Sequence, residues 1–150
     1  MSTTDIYNFV PITDRLGTAG QPVEDQLDDI VEEGYEVVIN ISTNDSPDCP
    51  PDEAGYFEIR SIPYHHIPVV WSSPTLENFS DFVRVMDDVS EKKVFVHCAA
   101  NARVSAFTAL FGQLRWGWSK ERADAHIKAL WQPNETWSML VEEVRRAKGL

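Results

Sequence analysis

VFVHCAANARVSAF, residues 94–107, contains the signals from which the architecture of this chain follows. Its first three residues are apolar and mostly β-branched, which is typical of a strand covered on both faces of a sheet. From Val104 onward the apolar side chains recur at helical spacing, so a helix should begin directly after the loop. The run therefore predicts a strand-loop-helix unit with His97 and Cys98 at the carboxyl end of the strand.

Apolar patterning on either side of this unit predicts further strands and helices. Residues 37–41, VVINI, predict a second buried strand. Residues 64–70 predict a third, which lies near an edge or ends early because Pro63 and Pro68 interrupt it. Helical spacing occurs in residues 23–33 with Val23 on the buried face, weakly in 52–57, in 76–89 behind a Ser73 N-cap, and after the N-cap candidates Ser119 and Asn134. We therefore predict an α/β fold, a three-layer sandwich whose central, mostly parallel sheet of four or five strands is flanked by helices.

Length and composition indicate one globular domain over residues 1–150. A chain of 150 residues buries a continuous core without a disulfide or a metal, and its 43% apolar and 25% charged residues are ordinary for a globular protein. The two cysteines make a poor disulfide framework, because Cys49 lies in a stretch rich in Pro and Asp whereas Cys98 follows an apolar strand. We interpret Cys98 as a free thiol and Cys49 as a surface or packing residue, and we expect no cofactor.

The charge balance excludes some partners. With 13 basic and 24 acidic residues the formal charge is −11, which repels nucleic acids and anionic membranes, so an anionic substrate needs a locally positive pocket. The first residues lack the basic and apolar regions of a targeting signal, and no run of about 18 apolar residues occurs. These features predict a cytoplasmic protein with neither a nucleic-acid nor a membrane partner.

The loop after Cys98 has the residue types that anion chemistry requires. The amides and positive dipole end of a helix N-terminus stabilise a thiolate and a bound phosphate alike. Three loop residues, Ala99, Ala100 and Ala102, have side chains too small to block a ligand, so their backbone amides can line a nest. Asn101 is the loop residue that tolerates a positive φ, and Arg103 has a fork of donors that matches two phosphate oxygens.

The segment resembles the signature of the cysteine-dependent protein tyrosine and dual-specificity phosphatases, in which His-Cys, a loop, Arg, and then Ser or Thr follow one another. Residues 16–22 (LGTAGQP), 67–75 (IPVVWSSPT) and the tryptophan-rich tail at 131–137 also resemble a bacterial branch of that superfamily. The resemblance implies a dual-specificity-phosphatase-like fold and hydrolysis of a phosphorylated protein or small molecule through a cysteinyl-phosphate.

The resemblance also implies roles for individual residues. Cys98 would attack phosphorus, while Arg103 and the amides of Ala99, Ala100, Asn101 and Ala102 hold the equatorial oxygens. His97 would tune the thiolate from behind. Ser105 would donate a hydrogen bond to the departing sulfur.

The loop departs from the family signature in its length. Four residues stand between Cys98 and Arg103 instead of the usual five, and Val104 occupies the family's arginine position. Either the loop is one residue shorter, which we favour, or Arg103 is turned by roughly 100° around the helix start and does not face the phosphate.

The second departure from the family is the lack of its general acid. Residues 67–74, where the family has its Asp, contain no Asp or Glu, and Val70 or Trp71 stands at that place. Asp45, Asp48, His65 or His66 could substitute only if the fold brought them there. The two adjacent histidines point to opposite faces of a strand and lack a third ligand, so we expect no metal site.

Two other functions are consistent with the same residues. A rhodanese-type sulfurtransferase also has a cysteine that opens a short anion nest. An oxyanion-binding pseudo-phosphatase would use the loop without turnover, as the missing acid allows.

Overall fold

The computed structural model describes residues 2–150, and its centre is a five-stranded sheet. The strands are β1 (Val10–Thr13), β2 (Leu16–Ala19), β3 (Val37–Asn40), β4 (Tyr64–His66) and β5 (Val94–His97). Across the sheet their order is β1-β2-β5-β3-β4; β1 runs antiparallel to β2, and every other neighbouring pair is parallel. The predicted mostly parallel sheet is confirmed, and β5 occupies its centre.

In the part of the chain that the structure describes, six α-helices flank the sheet. They are α1 (Leu27–Glu32), α2 (Glu53–Ile59), α3 (Leu76–Asp88), α4 (Ala102–Arg115), α5 (Lys120–Lys128) and α6 (Glu135–Lys148). The predicted caps of the last two are confirmed, since Ser119 accepts from the amide of Arg122 and Asn134 accepts from that of Trp137.

Two apolar clusters lie on opposite faces of the sheet, and strand alternation divides the residues of β5 between them. Phe95 packs with Leu27, Ile30 and Phe57 of α1 and α2. Val96 belongs to the larger cluster with the buried residues of α3 to α6. Because each fully buried side chain of this size contributes roughly 1.5–3 kcal/mol, the two faces together hold the central strand in place. The predicted three-layer sandwich is confirmed.

Two local predictions are wrong, and the apolar patterning predicts neither β1 nor β2. The β2 segment LGTA is short, contains Gly17 and lacks a β-branched run; a Cβ at Gly17 would collide with the Tyr35 hydroxyl. The N-cap of α3 is Thr75 and not Ser73, since its side chain accepts from the Asn78 amide at 3.0 Å. Val23 is 39% exposed, because a 3-10 turn over Glu24–Gln26 precedes α1.

Within residues 2–150, no helix has both the length and the apolar character needed to cross a bilayer.

Candidate active site

Cys98 emerges from the carboxyl end of the central strand. Alternation along β5 places His97 on the side of α2 and Cys98 in the cluster beneath α3 to α6. The Cys98 amide donates to the carbonyl of Ala19 on β2 at 3.3 Å, and the residue is only 1% exposed. Its sulfur therefore lies at the floor of the site, and a substrate reaches it only if the residues above it admit a phosphate.

The loop backbone is bound to the end of β2. The carbonyl of Ala99 accepts from the amide of Gln21 at 2.9 Å, and the carbonyl of Ala100 accepts from Asn8 Nδ2 at 3.0 Å. In a trans peptide the C=O and the next N–H point in opposite directions, so the Ala100 amide is directed away from Gln21. Gly20 permits this approach, because a Cβ there would lie 2.8 Å from the carbonyl oxygen of Ala99.

Asn101 adopts the left-handed conformation that its residue type predicted, with φ 65° and ψ 7°. Its Nδ2 donates to the carbonyl of Asn8 at 2.9 Å and to Thr18 Oγ1 at 3.3 Å. Asn8 and Asn101 thus connect the N-terminal segment to the loop in both directions. The loop conformation is fixed by contacts that come from far outside it in sequence.

Helix α4 begins at Ala102, directly after this turn. Ser105 is the first residue whose amide has a backbone acceptor, the carbonyl of Asn101 at 2.9 Å. The amides of Ala102, Arg103 and Val104 belong to the first turn, where no carbonyl lies one turn back to accept them. The positive end of a 14-residue helix, most of it buried, therefore stands beside Cys98.

Arg103 extends over the same edge of the sheet and is 6% exposed. Its Nη1 donates to the carbonyl of Val69 at 2.7 Å. Val69 is in turn tied to the ends of the strands, because its amide donates to the carbonyl of Ile41 and the amide of Ile41 donates to the carbonyl of His97. These contacts place the guanidinium above the carboxyl ends of β5 and β3, on the edge where Cys98 lies. Within residues 2–150 its other N–H groups have no acceptor, so they can bind an anion.

Ser105 lies one turn into α4 and already has two partners. Its hydroxyl donates to the carbonyl of Ala102 at 2.7 Å and accepts from Trp131 Nε1 at 2.9 Å. A hydrogen bond from Ser105 to the sulfur would require this hydroxyl to rotate.

His97 contacts a buried carboxylate that the sequence did not reveal. Its Nε2 lies 2.5 Å from Glu53 Oε2, and its Nδ1 lies 3.2 Å from the carbonyl oxygen of Cys98. Both neighbours are hydrogen-bond acceptors, so each ring nitrogen faces an oxygen. Gln21 Nε2 and the Tyr64 hydroxyl also donate to Glu53, each at 2.9 Å. Burial alone would raise the pKa of Glu53, but the charge and hydrogen bond of His97 together with these donors lower it below its usual value.

The same network continues to the carboxyl end of β3. Asn40 Nδ2 donates to the Tyr64 hydroxyl and to Asn44 Oδ1, both at 2.8 Å. Burial, followed by the charge of Glu53, raises the pKa of Tyr64, so the phenol remains a donor to the carboxylate. Glu53, Gln21 and Tyr64 thus fix His97 behind the nucleophile loop.

Within residues 2–150, the carboxylates and histidines proposed as substitute acids form no hydrogen bond with residues 98–103. Asp45 accepts from Thr43 Oγ1 and is exposed, as is Asp48. The histidines lie on the edge strand β4, where His66 Nε2 donates to the carbonyl of Ser42 at 2.7 Å. Among residues 2–150, no group of three or more His, Cys, Asp or Glu side chains has the geometry to hold a metal ion.

Sequence reasoning missed Glu53, Gln21, Asn8 and Gly20. Each acts through a contact with a residue at least 32 positions away or through backbone proximity, which no local pattern encodes. The one available signal was Gly20-Gln21-Pro22, a turn former and a polar residue at the end of an apolar stretch.

A central strand that ends in His-Cys, a short loop and an arginine at a helix start define a phosphatase-like protein of the dual-specificity type. A family model described as a DSP-PTPase phosphatase fused to NAD+ kinase matches residues 11–138. The chain belongs to this family.

Other known proteins are similar to this chain. The crystal structure of a DUF442 protein from Shewanella putrefaciens CN-32, described as a phosphatase, is similar to this chain at 32% sequence identity. The match covers 98% of this chain and 97% of that chain, with a TM-score of 0.85. A beta-lactamase hydrolase-like protein from Xylella fastidiosa is 30% identical over 105 residues, which are 68% of this chain. They are 24% of that protein, so the match spans about a quarter of the relative's length. PTPMT1 in complex with PI(5)P, at 16% identity, has the same fold, with a TM-score of 0.77 over 94% of this chain and 96% of that one.

Proposed function

We propose that this protein hydrolyses phosphate monoesters through a phosphoryl group carried on Cys98. One observation carries the proposal: the sulfur, the first-turn amides of α4 and the Arg103 guanidinium all lie at one edge of the sheet. Oxyanions are stabilised where such donors converge in a site with little water.

The reaction proceeds in two displacements at phosphorus. The thiolate of Cys98 forms a P–S bond as the P–O bond to the alcohol breaks, and the released oxygen takes up a proton. Water then attacks phosphorus, the P–S bond breaks, and inorganic phosphate leaves with the thiolate regenerated. Arg103 and the amides of residues 99–103 hold the equatorial oxygens through both steps, while His97, bound by Glu53, supports the loop from below.

The leaving group decides the rate of the first step. Residues 67–74 contain no Asp or Glu, and within residues 2–150 the other candidate acids form no hydrogen bond with the loop. Proton transfer to the leaving oxygen contributes about 10²- to 10⁴-fold in rate, so we expect aryl phosphates to react and alkyl phosphates to react more slowly by a factor of this order.

The test is hydrolysis of p-nitrophenyl phosphate by the wild type, Cys98→Ser and Cys49→Ser. Cys49 is the matched control, because it is the second free cysteine and lies in the 42–51 loop. We expect Cys98→Ser to be inactive and Cys49→Ser to keep wild-type turnover. An active Cys98→Ser, or a wild type inactive on a panel of aryl phosphates, would refute the proposal. Phosphate binding without turnover would identify an oxyanion-binding pseudo-phosphatase instead.

Sulfur transfer is the second candidate, and the acid-free segment at residues 67–74 favours it. The Cys98 thiolate would attack the outer sulfur of thiosulfate, so that a new S–S bond forms and sulfite leaves. Sulfite is a good leaving group and needs no proton donor. Cyanide would then remove the outer sulfur as thiocyanate and restore the thiolate. Thiocyanate formation without phosphoester hydrolysis would select this function.

We further propose that the substrate is a phosphorylated protein or small molecule and that residues 1–150 act as one domain in the cytoplasm. Two proteins of the same fold support a phosphorylated substrate, since PTPMT1 has been crystallised with PI(5)P and SIW14 from Saccharomyces cerevisiae is a PP-IP phosphatase.

A further inference from the structure

Trp71 stands beside Arg103, in the segment where the family's acid is expected. The guanidinium carbon of Arg103 lies 5.9 Å from the centroid of the Trp71 ring, within the range of a cation–π contact. The same guanidinium is bound to the carbonyl of Val69, two residues before Trp71. The guanidinium that would hold an anion therefore lies beside this indole.

Trp71 is held in place by two other tryptophans. Its backbone carbonyl accepts from Trp137 Nε1 at 2.9 Å. Its ring lies 5.2 Å from the ring of Trp131 and 5.6 Å from that of Trp137, centroid to centroid. Trp131 in turn donates to Ser105 of α4. These contacts fix the indole relative to the loop without enclosing it.

The exposure of Trp71 is the unusual feature. Trp137 is fully buried, whereas Trp71 is 41% exposed in spite of its two aromatic neighbours, and the adjacent Val70 is 46% exposed. An exposed, immobilised indole costs free energy to leave in water, because its apolar area could otherwise be buried. Its position next to the one arginine of the loop indicates a surface for a ligand.

The missing acid points to the same kind of ligand. A phenol ionises near pH 10, whereas an aliphatic alcohol is as weak an acid as water, so only an aryl oxide leaves readily without a proton donor. A flat indole beside the anion site also favours a flat leaving group, because offset and edge-to-face ring contacts add stabilisation beyond area burial. The missing acid thus selects leaving groups of low pKa, the indole favours flat ones, and aryl oxides satisfy both.

We propose that Trp71 is a specificity-determining residue, whose ring contacts the leaving group of a phosphate held by Arg103 and selects planar aromatic esters over aliphatic ones. This inference rests on the proposed function for its biological reaction. The contact itself is measurable without turnover.

The test is the affinity of phenylphosphonate and methylphosphonate, which share the anion and resist hydrolysis, measured by isothermal titration calorimetry. We expect the wild type to bind phenylphosphonate about fivefold to tenfold more tightly than methylphosphonate. Trp71→Leu should reduce this ratio to near one through a weaker affinity for the phenyl compound alone, and Trp71→Phe should retain most of it. Both variants keep the hydrogen bond from Trp137, because it is made to the backbone carbonyl of residue 71.

Trp116→Leu is the matched control. Trp116 is 37% exposed but lies at the other end of the sheet, near Leu16 and Val94, and its loss should leave the ratio unchanged. A ratio unaffected by Trp71→Leu, with melting temperature preserved, would overturn the inference, as would a wild type that binds neither phosphonate. If the ratio responds as expected but no phosphoester is hydrolysed, the indole contact stands and the proposed function fails.

Discussion

Glu53→Gln should destabilise the protein strongly, although the substitution only replaces one carboxylate oxygen with an NH2 group. The carboxylate is buried and accepts from three donors: His97 Nε2, Gln21 Nε2 and the Tyr64 hydroxyl. The Tyr64 proton is committed to Glu53 because the phenol oxygen accepts from Asn40. A carboxamide has one oxygen and one NH2 group, so at least one of the three donors would face another donor.

The magnitude follows from these contacts. Hydrogen bonds to a charged group contribute about 1.5–3 kcal/mol each, and one or more is lost while the charge opposite His97 disappears. Removing one partner of a buried ion pair costs roughly 3–5 kcal/mol, and the carboxamide keeps part of the hydrogen bonding. We therefore expect Glu53→Gln to lower the free energy of unfolding by about 2–4 kcal/mol at neutral pH.

The difference in free energy of unfolding between the wild type and Glu53→Gln should become smaller as the pH falls. Interaction with His97 and the other donors lowers the folded-state pKa of Glu53 below its usual 4.5. A carboxyl with a depressed folded-state pKa contributes stability that is complete above the unfolded value and is lost as the pH falls through the folded value. This difference in free energy of unfolding should have its complete value at pH 7 and should decrease as the pH is lowered below 4.5.

Urea unfolding followed by tryptophan fluorescence measures this gap. Glu58→Gln is the control, because Glu58 lies on the same helix, α2, and is exposed; its effect should stay within about 0.5 kcal/mol. Equal midpoints for Glu53→Gln and Glu58→Gln, or a gap that widens in acid, would refute the account of the Glu53 site.

Three further substitutions probe the loop. Gly20→Ala places a Cβ 2.8 Å from the carbonyl oxygen of Ala99, so we expect about 1–3 kcal/mol lower stability and reduced aryl phosphate turnover; an unchanged melting temperature would contradict the close approach. Asn101→Ala and Asn101→Gly both remove the hydrogen bonds of the Asn101 side chain, but Asn101→Ala should cost roughly 1–2 kcal/mol more because of strain at φ 65°, as thermal unfolding can show; equal losses would rule out that strain. Arg103→Lys should weaken vanadate binding by at least about tenfold in calorimetry, since it removes the fork of donors; wild-type affinity would contradict bidentate binding.

The central unit of the fold could be predicted from residues 94–107 because several local signals agree there. An apolar strand, small loop residues and a helical stripe follow one another without a gap, and Asn101 is suited to the single left-handed position. The edge position of β4 and the caps Ser119 and Asn134 were predictable for the same reason, since proline and capping side chains act within a few residues.

The remaining features depend on distant parts of the chain. Glu53 looks like a helix-start residue after two prolines, and its role arises only because α2 packs against the face of β5 that carries His97, 44 residues away. Val23 fits an apolar helical stripe, but a 3-10 turn changes its direction. Trp131 packs against the large apolar cluster and also donates to Ser105 beside the loop, a partner 26 residues away in the sequence.

Mass spectrometry of the acid-quenched protein during turnover of an aryl phosphate tests the Cys98 nucleophile most directly. We predict that the peptide containing Cys98 gains the mass of one phosphoryl group, that the Cys49 peptide does not, and that Cys98→Ser shows neither gain nor turnover. A protein that turns over the substrate with Cys98 unmodified throughout, or that instead accumulates a persulfide there from thiosulfate and hydrolyses no phosphoester, would contradict the assignment.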